Sequence, residues 1–414
     1  MRRKIIDLFI YLLSQSLSRL SPFILLPVLT RELTQAEFGS WSMFQLLSVL
    51  SISIVGMNAQ NTITRNFFNR PKEFIQEVCA NTILVLLGSS LFWTLILVIA
   101  TSLSFETFGI PTLFILMLPM TAFLLMLSEI LLTVFRNEKK PLRFASLEIS
   151  RAGIELIVSL VLVVVLALGL SGRIWGLVST AVLFGVFSFF ILHRIGYLRW
   201  RIRKSLLKEI LEICLPLIPH AVAGIALSLG GRYFVGDILS IEDVSIYSAA
   251  YQFAMVLAVL GIALNRVWSP WLYEKLSQEK VERKVIESRM IQYCGGVLVT
   301  GIFIGYISKL LVPYILPPAY SEVESFVVIM CVGYAFYAMY NCVFPFFVYY
   351  KRTNTTAKIT AFSAVVGLTS TVFLTNAYGL YGASFGFLFG YFVLFTLSYS
   401  IGLRIWSQGR RHSV

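Results

Sequence analysis

An arginine stands in the middle of the first apolar run of this sequence. Arg19 is flanked by Ser14, Gln15, Ser16, Ser18 and Ser21. On a helix, residues 15, 18, 19 and 22 share one face, so this polar stripe must look into a cavity and not into lipid. A guanidinium cannot escape its charge by losing a proton. A charge at bilayer depth costs about 2.5–3.5 kcal/mol on insertion scales. Arg19 therefore needs an anion or water, or a fixed pair with an internal carboxylate such as Glu129. Arg151 and Glu155 lie one helical turn apart in the fifth apolar run, spaced to pair with each other. Glu129 lies near the end of the fourth run, where it could pair with Arg151 or Arg19 or bind a coupling cation. His220 follows Pro216 and Pro219, and it reads as a ligand contact, a proton site or a satisfied polar residue behind a kink.

Soluble-enzyme chemistry has no residues to work with. There is no Walker A loop, nucleophile elbow, HExxH or dinucleotide fingerprint. The five cysteines, Cys79, Cys214, Cys294, Cys331 and Cys342, lack CxxC spacing. Neither a metal site nor a disulfide framework follows from them. A chain that is not an enzyme and carries no cofactor is the expectation.

The elements that must hold these residues are set by composition. Of 414 residues, 57% are hydrophobic and 13% charged, against about 45–50% and 25% in soluble proteins. Mean hydropathy is +0.81. A soluble enzyme and a disordered chain are both excluded. The apolar runs are continuous rather than alternating, so they predict an all-α integral membrane protein and not a barrel. Twelve spans fall near 8–30, 38–58, 79–101, 110–134, 146–169, 174–193, 213–235, 246–265, 291–312, 325–349, 357–376 and 380–403.

The net charge of +13 does not point to nucleic acid, because the positives lie between apolar segments and not in one patch. Twenty-eight of the 34 Lys and Arg fall at the termini or in alternate connections, and only Arg31, Arg173, Arg232 and Lys309 fall in the others. That alternation predicts cytoplasmic termini. Arg232 reads as snorkelling at the outer end of its helix. No cleavable signal pattern follows the basic start.

The halves repeat. Leu33-Thr34-x-x-Glu37-Phe38-Gly39-x-Trp41 matches Leu239-Ser240-x-x-Asp243-Val244-Ser245-x-Tyr247 at an offset of 206, and Trp175-Gly176 matches Tyr381-Gly382. This predicts two six-helix lobes related by a parallel repeat. The lobes would be 1–193 and 213–414, joined by a linker at 194–212. In the linker, Trp200, Leu206, Leu207, Ile210 and Leu211 fall on one side of a basic amphipathic helix suited to a lipid surface. Residues 274–289 read as a helical loop. Pro22 and Pro27 in the first span and Pro216 and Pro219 in the seventh interrupt matching places in the two halves, which points to a gating region.

The order Pro27-x-x-Thr30-Arg31-x-Leu33, Thr34-x-x-Glu37-Phe38-Gly39, twelve spans and the duplication resembles the Wzx-type polysaccharide-biosynthesis flippases of the multidrug/oligosaccharidyl-lipid/polysaccharide exporter superfamily. The resemblance implies a V-shaped pair of lobes around a central cavity. It also implies transfer of an undecaprenyl-diphosphate-linked oligosaccharide from the cytoplasmic to the periplasmic leaflet of a bacterial inner membrane. A polysaccharide polymerase and a chain-length regulator are the protein partners it suggests. On that reading Arg19 and Arg151 would meet the diphosphate. His220 and the amides Gln15, Asn61 and Gln252 would meet sugar, although membrane helices also use amides as glue. The rival classes are a small-molecule or cation antiporter of the same superfamily and a membrane-embedded envelope polymerase or ligase. The latter would need a larger outward loop than any here.

Overall fold

The computed structural model describes the backbone of residues 2–103, 106–278 and 283–409. Within it, the side chains of 2–9, 12, 19, 283, 408 and 409 are outside the description. Among the described residues all regular structure is helical. The first helices are α1 (Arg2–Glu32), α2 (Gln35–Gly56), α3 (Gln60–Phe67), α4 (Lys72–Ser102), α5 (Thr112–Asn137), α6 (Pro141–Leu160) and α7 (Gly169–Arg194), with a π-helical turn at Val161–Val165 extending α6. There follow α8 (Lys204–Cys214), α9 (Leu217–Leu229), α10 (Gly231–Ile238), α11 (Ile241–Leu276), α12 (Arg283–Ile315), α13 (Val323–Tyr349) and α14 (Thr353–Gly409).

Nine described stretches are long and apolar enough to cross a membrane. The last is a single 55-residue helical trace. Gly379, at φ 58°, divides it into two membrane-length arms. A glycine is needed there because an L side chain resists that conformation. The 31-residue α1 is about 46 Å long at 1.5 Å per residue, enough to cross ~30 Å of hydrocarbon. With α1, and α6 with its π turn, the spans number about twelve. They coincide with the apolar runs of the sequence.

Two compact units emerge: Met1–Leu25 with Glu32–Val222, and Leu26–Arg31 with Ala223–Val414. The division falls after Val222 rather than at 212, so Pro216, Pro219 and His220 go with the first unit. Each unit is built around its own fourth span. In both α5 and α13, 72% of the most apolar window is buried. In the first unit α5 carries Ile130, Leu131 and Val134 into a core shared with α4. Gly56 lets α2 close on α5, since a Cβ there would lie 2.8 Å from Met126 Sδ.

The repeat seen in the sequence is a repeat of helix caps. Thr34 Oγ1 accepts from the Glu37 amide at 3.2 Å, and Glu37 Oε2 accepts from the Thr34 amide at 3.0 Å. At the same offset, Ser240 Oγ accepts from the Asp243 amide at 3.1 Å. These caps satisfy helix-terminal donors that would otherwise be orphaned. Glu37 does more, because its Oε1 also accepts from the Leu170 amide at 3.2 Å and so ties α2 to the start of α7.

The linker differs from the helix read in the sequence. Its helix begins at Lys204, so Trp200 is not on it. Leu206, Ile210 and Cys214 do not face lipid but pack into the core of the first unit. The preceding stretch is strapped along α4. Gln76 Nε2 donates to Gly196 O at 2.7 Å, and Asn81 Nδ2 donates to Arg201 O at 2.9 Å. The Arg203 Nε lies 2.7 Å from the buried Glu77 carboxylate. Tyr197 donates to Glu138 at 2.9 Å, and burial beside that carboxylate pushes its phenol pKa up. Of the 274–289 loop, α11 runs to Leu276 and α12 starts at Arg283, and the residues between 278 and 283 lie outside the description.

Candidate functional site

Inside the first unit the helices leave a cavity of about 430 Å³. Its polar lining comes from five elements: Ser53 on α2, Asn58 in the turn after it, Gln60 on α3, Glu129 on α5, and Arg151 and Glu155 on α6. The turn has a local cause. Met57 and Asn58 both take left-handed conformations, with φ 47° and 53°. That pair ends α2 and brings Gln60 back to the cavity wall, and asparagine tolerates the conformation better than most residues. The Gln60 side-chain amide oxygen, Oε1, is buried with no hydrogen-bond donor among the described residues.

The ion pairs differ from the expected one. Arg151 pairs with Glu148 at 3.5 Å, and Glu155 pairs with Arg173 at 2.9 Å. One helical turn separates Arg151 and Glu155, but the stronger partner for Glu155 reaches across from α7. Arg173 read as a loop residue in the sequence; its side chain is only 5% exposed. Its second nitrogen donates to Ser159 at 2.8 Å, and its guanidinium lies 4.1 Å from the centre of the Trp41 ring. Pairing, hydrogen bonding and stacking together offset its desolvation. The signal that could have found it was Gly169 and Gly172 just before it, which let the α6–α7 turn be tight enough to bury the cation. Arg232 was likewise misplaced by its sequence position. It is 1% exposed in the second unit and sits 4.6 Å over the Tyr251 ring instead of snorkelling.

The remaining site residues scatter. The side chain of Arg19 lies outside the described residues. Its neighbour Ser18 reaches Glu148 O on α6 at 3.4 Å. Gln15 is half-buried on α1. Asn61 is exposed on α3, and the adjacent Gln60 takes the lining position. His220 is half-buried on α9 with Nδ1 unpartnered among the described residues. Nearby Ala221 lines the cavity. Gln252 is 4% exposed on α11, in the second unit, and its Oε1 has no partner among the described residues. α1 runs unbroken through Pro22 and Pro27, whereas Pro216 sits at the break between α8 and α9 and Pro219 lies in the first turn of α9. No group of three or more possible metal ligands occurs among the described residues.

The described helices make a multi-pass bundle in two units, with charges and amides facing a chamber inside the first. Solved structures share the fold. An inward-facing multidrug resistance MATE family transporter of the MOP superfamily superposes with a TM-score of 0.78, covering 97% of this chain and 96% of that one at 16% identity. The lipid II flippase MurJ, in an inward closed conformation, gives 0.75 over 95% and 87% at 12% identity. Lsg locus putative protein 1 of Haemophilus influenzae is 22% identical over 382 residues, 89% of this chain and 90% of that protein. Residues 6–275 match the family described as polysaccharide biosynthesis protein, and the chain belongs to that family.

Proposed function

We propose that this protein is a flippase carrying an undecaprenyl-diphosphate-linked oligosaccharide from the cytoplasmic to the periplasmic leaflet of the bacterial inner membrane, by alternating access, for assembly of a surface polysaccharide such as O-antigen or capsule. Both termini would face the cytoplasm. The observation that carries the reading is the cavity of the first unit. It sets the Arg151 guanidinium beside the amides of Asn58 and Gln60, in a chain of the polysaccharide biosynthesis family. A guanidinium fork matches phosphate oxygens, and the Gln60 side-chain amide oxygen is an acceptor suited to a sugar hydroxyl. Arg19 supplies the second cation on the sequence's reading. Moving one charge through 100 mV is worth about 2.3 kcal/mol. A diphosphate with about two negative charges would thus run roughly 4–5 kcal/mol downhill from a negative interior.

A second reading is favoured by the carboxylates Glu129 and Glu155 on the same wall and by the fold shared with a multidrug transporter. A small-molecule or cation antiporter would use them as its cation site. Proteoliposomes with fluorescent lipid-linked sugar separate the two. On the flippase reading, wild type flips the lipid, and Arg151→Ala or Arg19→Ala slows it at least tenfold. Wild-type vesicles that flip no lipid-linked sugar but exchange an organic cation for protons would establish the antiporter instead.

A further inference from the structure

Residues 197–203, between α7 and α8, carry no helix. They join Gly169–Arg194 to Lys204–Leu229, two stretches each long and apolar enough to cross a membrane. A chain that leaves one span and enters the next does so at the membrane surface, where backbone polar groups can be satisfied. Here α4 satisfies one side of the strap. The backbone carbonyl of Gln76 accepts from the Arg199 amide at 3.3 Å. The buried Asn81 side chain accepts from the Arg203 amide at 3.3 Å and donates to Arg201 O at 2.9 Å. These bonds do for the strap what a neighbouring strand would do.

Held in this way, the extended chain sorts its side chains, since successive residues point to opposite sides. Arg201 and Arg203 turn to α4, 3.9 and 2.7 Å from the buried Glu77 carboxylate. Trp200 and Ile202 turn the other way, and both are more than half exposed. The Trp200 ring lies 6.3 Å from that of Phe189, near the end of α7. Phe187 and Phe190 are exposed on the same helix, so the apolar pair extends an apolar outer surface of α7.

Charge decides what meets that surface. From 194 to 208 the chain carries six cations, Arg194, Arg199, Arg201, Arg203, Lys204 and Lys208, and no acid. Glu77 balances Arg203. Lys208 pairs with Glu212 at 3.8 Å, but both groups are exposed, and such pairs are weak. Arg199 and Lys204 are exposed on either side of Trp200 and Ile202.

We propose that the strap is a docking site for an anionic phospholipid, with Trp200 and Ile202 against the upper acyl chain and Arg199 and Lys204 on the phosphate. Tryptophan favours that level of a bilayer, and clusters of about four to eight cations beside a membrane helix bind acidic headgroups. The contacts to α4 set the strap in place before any lipid arrives. The site lies wholly within the first unit and does not depend on what the protein carries.

The test uses the full chain in nanodiscs of equal parts phosphatidylglycerol and phosphatidylcholine. In one preparation the first lipid carries a diazirine high in its acyl chain, and in the other the second does. Labelled residues are mapped by mass spectrometry. The phosphatidylglycerol probe is expected to label 199–204 about fivefold more than the phosphatidylcholine probe. Arg199→Gln with Lys204→Gln should bring the two probes to within about twofold. The melting temperature in detergent should not change, because the Glu77 and Asn81 contacts remain. Equal labelling of the wild type by both probes overturns the proposal, whatever the variant does. So does a folded double variant that keeps the preference, or a strap that neither probe labels, as it would be if a protein partner covered it.

Discussion

Glu155 and Arg173 meet at 2.9 Å across the α6–α7 pair, eighteen positions apart in the chain. Arg173 is 5% exposed and Glu155 is 27% exposed. The carboxylate sits on the cavity wall and the guanidinium lies behind it, so the pair both closes the helix packing and fixes the charge offered to the cavity.

That asymmetry predicts unequal costs. Glu155→Gln strands a buried cation, which costs about 3 kcal/mol. Arg173→Ala leaves a carboxylate that cavity water can hydrate, and the loss should be nearer 1–2 kcal/mol. The double variant Glu155→Gln with Arg173→Met should recover most of the first loss. Thermal unfolding in detergent reads all three, and additive losses in the double variant would show that the two residues do not act as a pair.

The order reverses at the linker strap. Glu77 is the buried partner, at 3% exposure, and Arg203 is the exposed one, at 38%. Arg203→Ala, which leaves the carboxylate buried, should cost about 2–3 kcal/mol, and Glu77→Gln about 1 kcal/mol. Limited trypsin digestion reports the same event locally. Cleavage at Arg199 and Arg201 should speed up several-fold in Arg203→Ala before the helices are cut.

Both caps should contribute to stability, the first more than the second. Thr34→Ala and Ser240→Ala remove N-caps at equivalent places in the repeat, each costing about 1 kcal/mol. The threonine should cost more, because Glu37 depends on it for orientation and also holds the Leu170 amide. The residues lie in different units, so the double variant should show the sum. Chemical denaturation of the purified protein measures it.

Glu322 gives a pH signature. Burial, and then the charge of Asp243, raise its carboxyl above the ordinary value of 4.5. The folded chain therefore binds a proton more tightly than the unfolded chain. Its contribution to stability is greatest below pH 4.5, declines as pH rises through the folded-state value, and stays reduced above it. Glu322→Gln should flatten that slope and melt slightly higher than wild type at neutral pH. A melting-temperature difference that does not change between pH 4 and 7 would remove Glu322 as the source.

Spans and family were legible without coordinates because each rests on local quantities. A membrane helix must satisfy its own backbone, so its length and apolarity are written in about 20 consecutive residues. The cap motifs at Thr34 and Ser240 are equally local, and they exposed the duplication. The division of the chain at Val222 could not be read that way, since the seventh span continues through it without any change in composition.

Partners across helices were beyond reach for the same physical reason. Arg151 and Glu155 have ideal spacing on one helix, but a buried guanidinium binds the acceptors that packing brings to it, and packing brought Glu155 to Arg173. The linker helix showed its amphipathic pattern plainly, yet the pattern cannot say whether lipid or protein covers the Leu206 and Ile210 face. Sequence alone determined that there are charges and amides at membrane depth. Which of them share a wall, and that Glu129, Arg151, Glu155 and Gln60 do, was decided by tertiary contacts between α2, α3, α5 and α6. Side-chain identity fixes what a group must avoid, and only the packed neighbours fix what it meets.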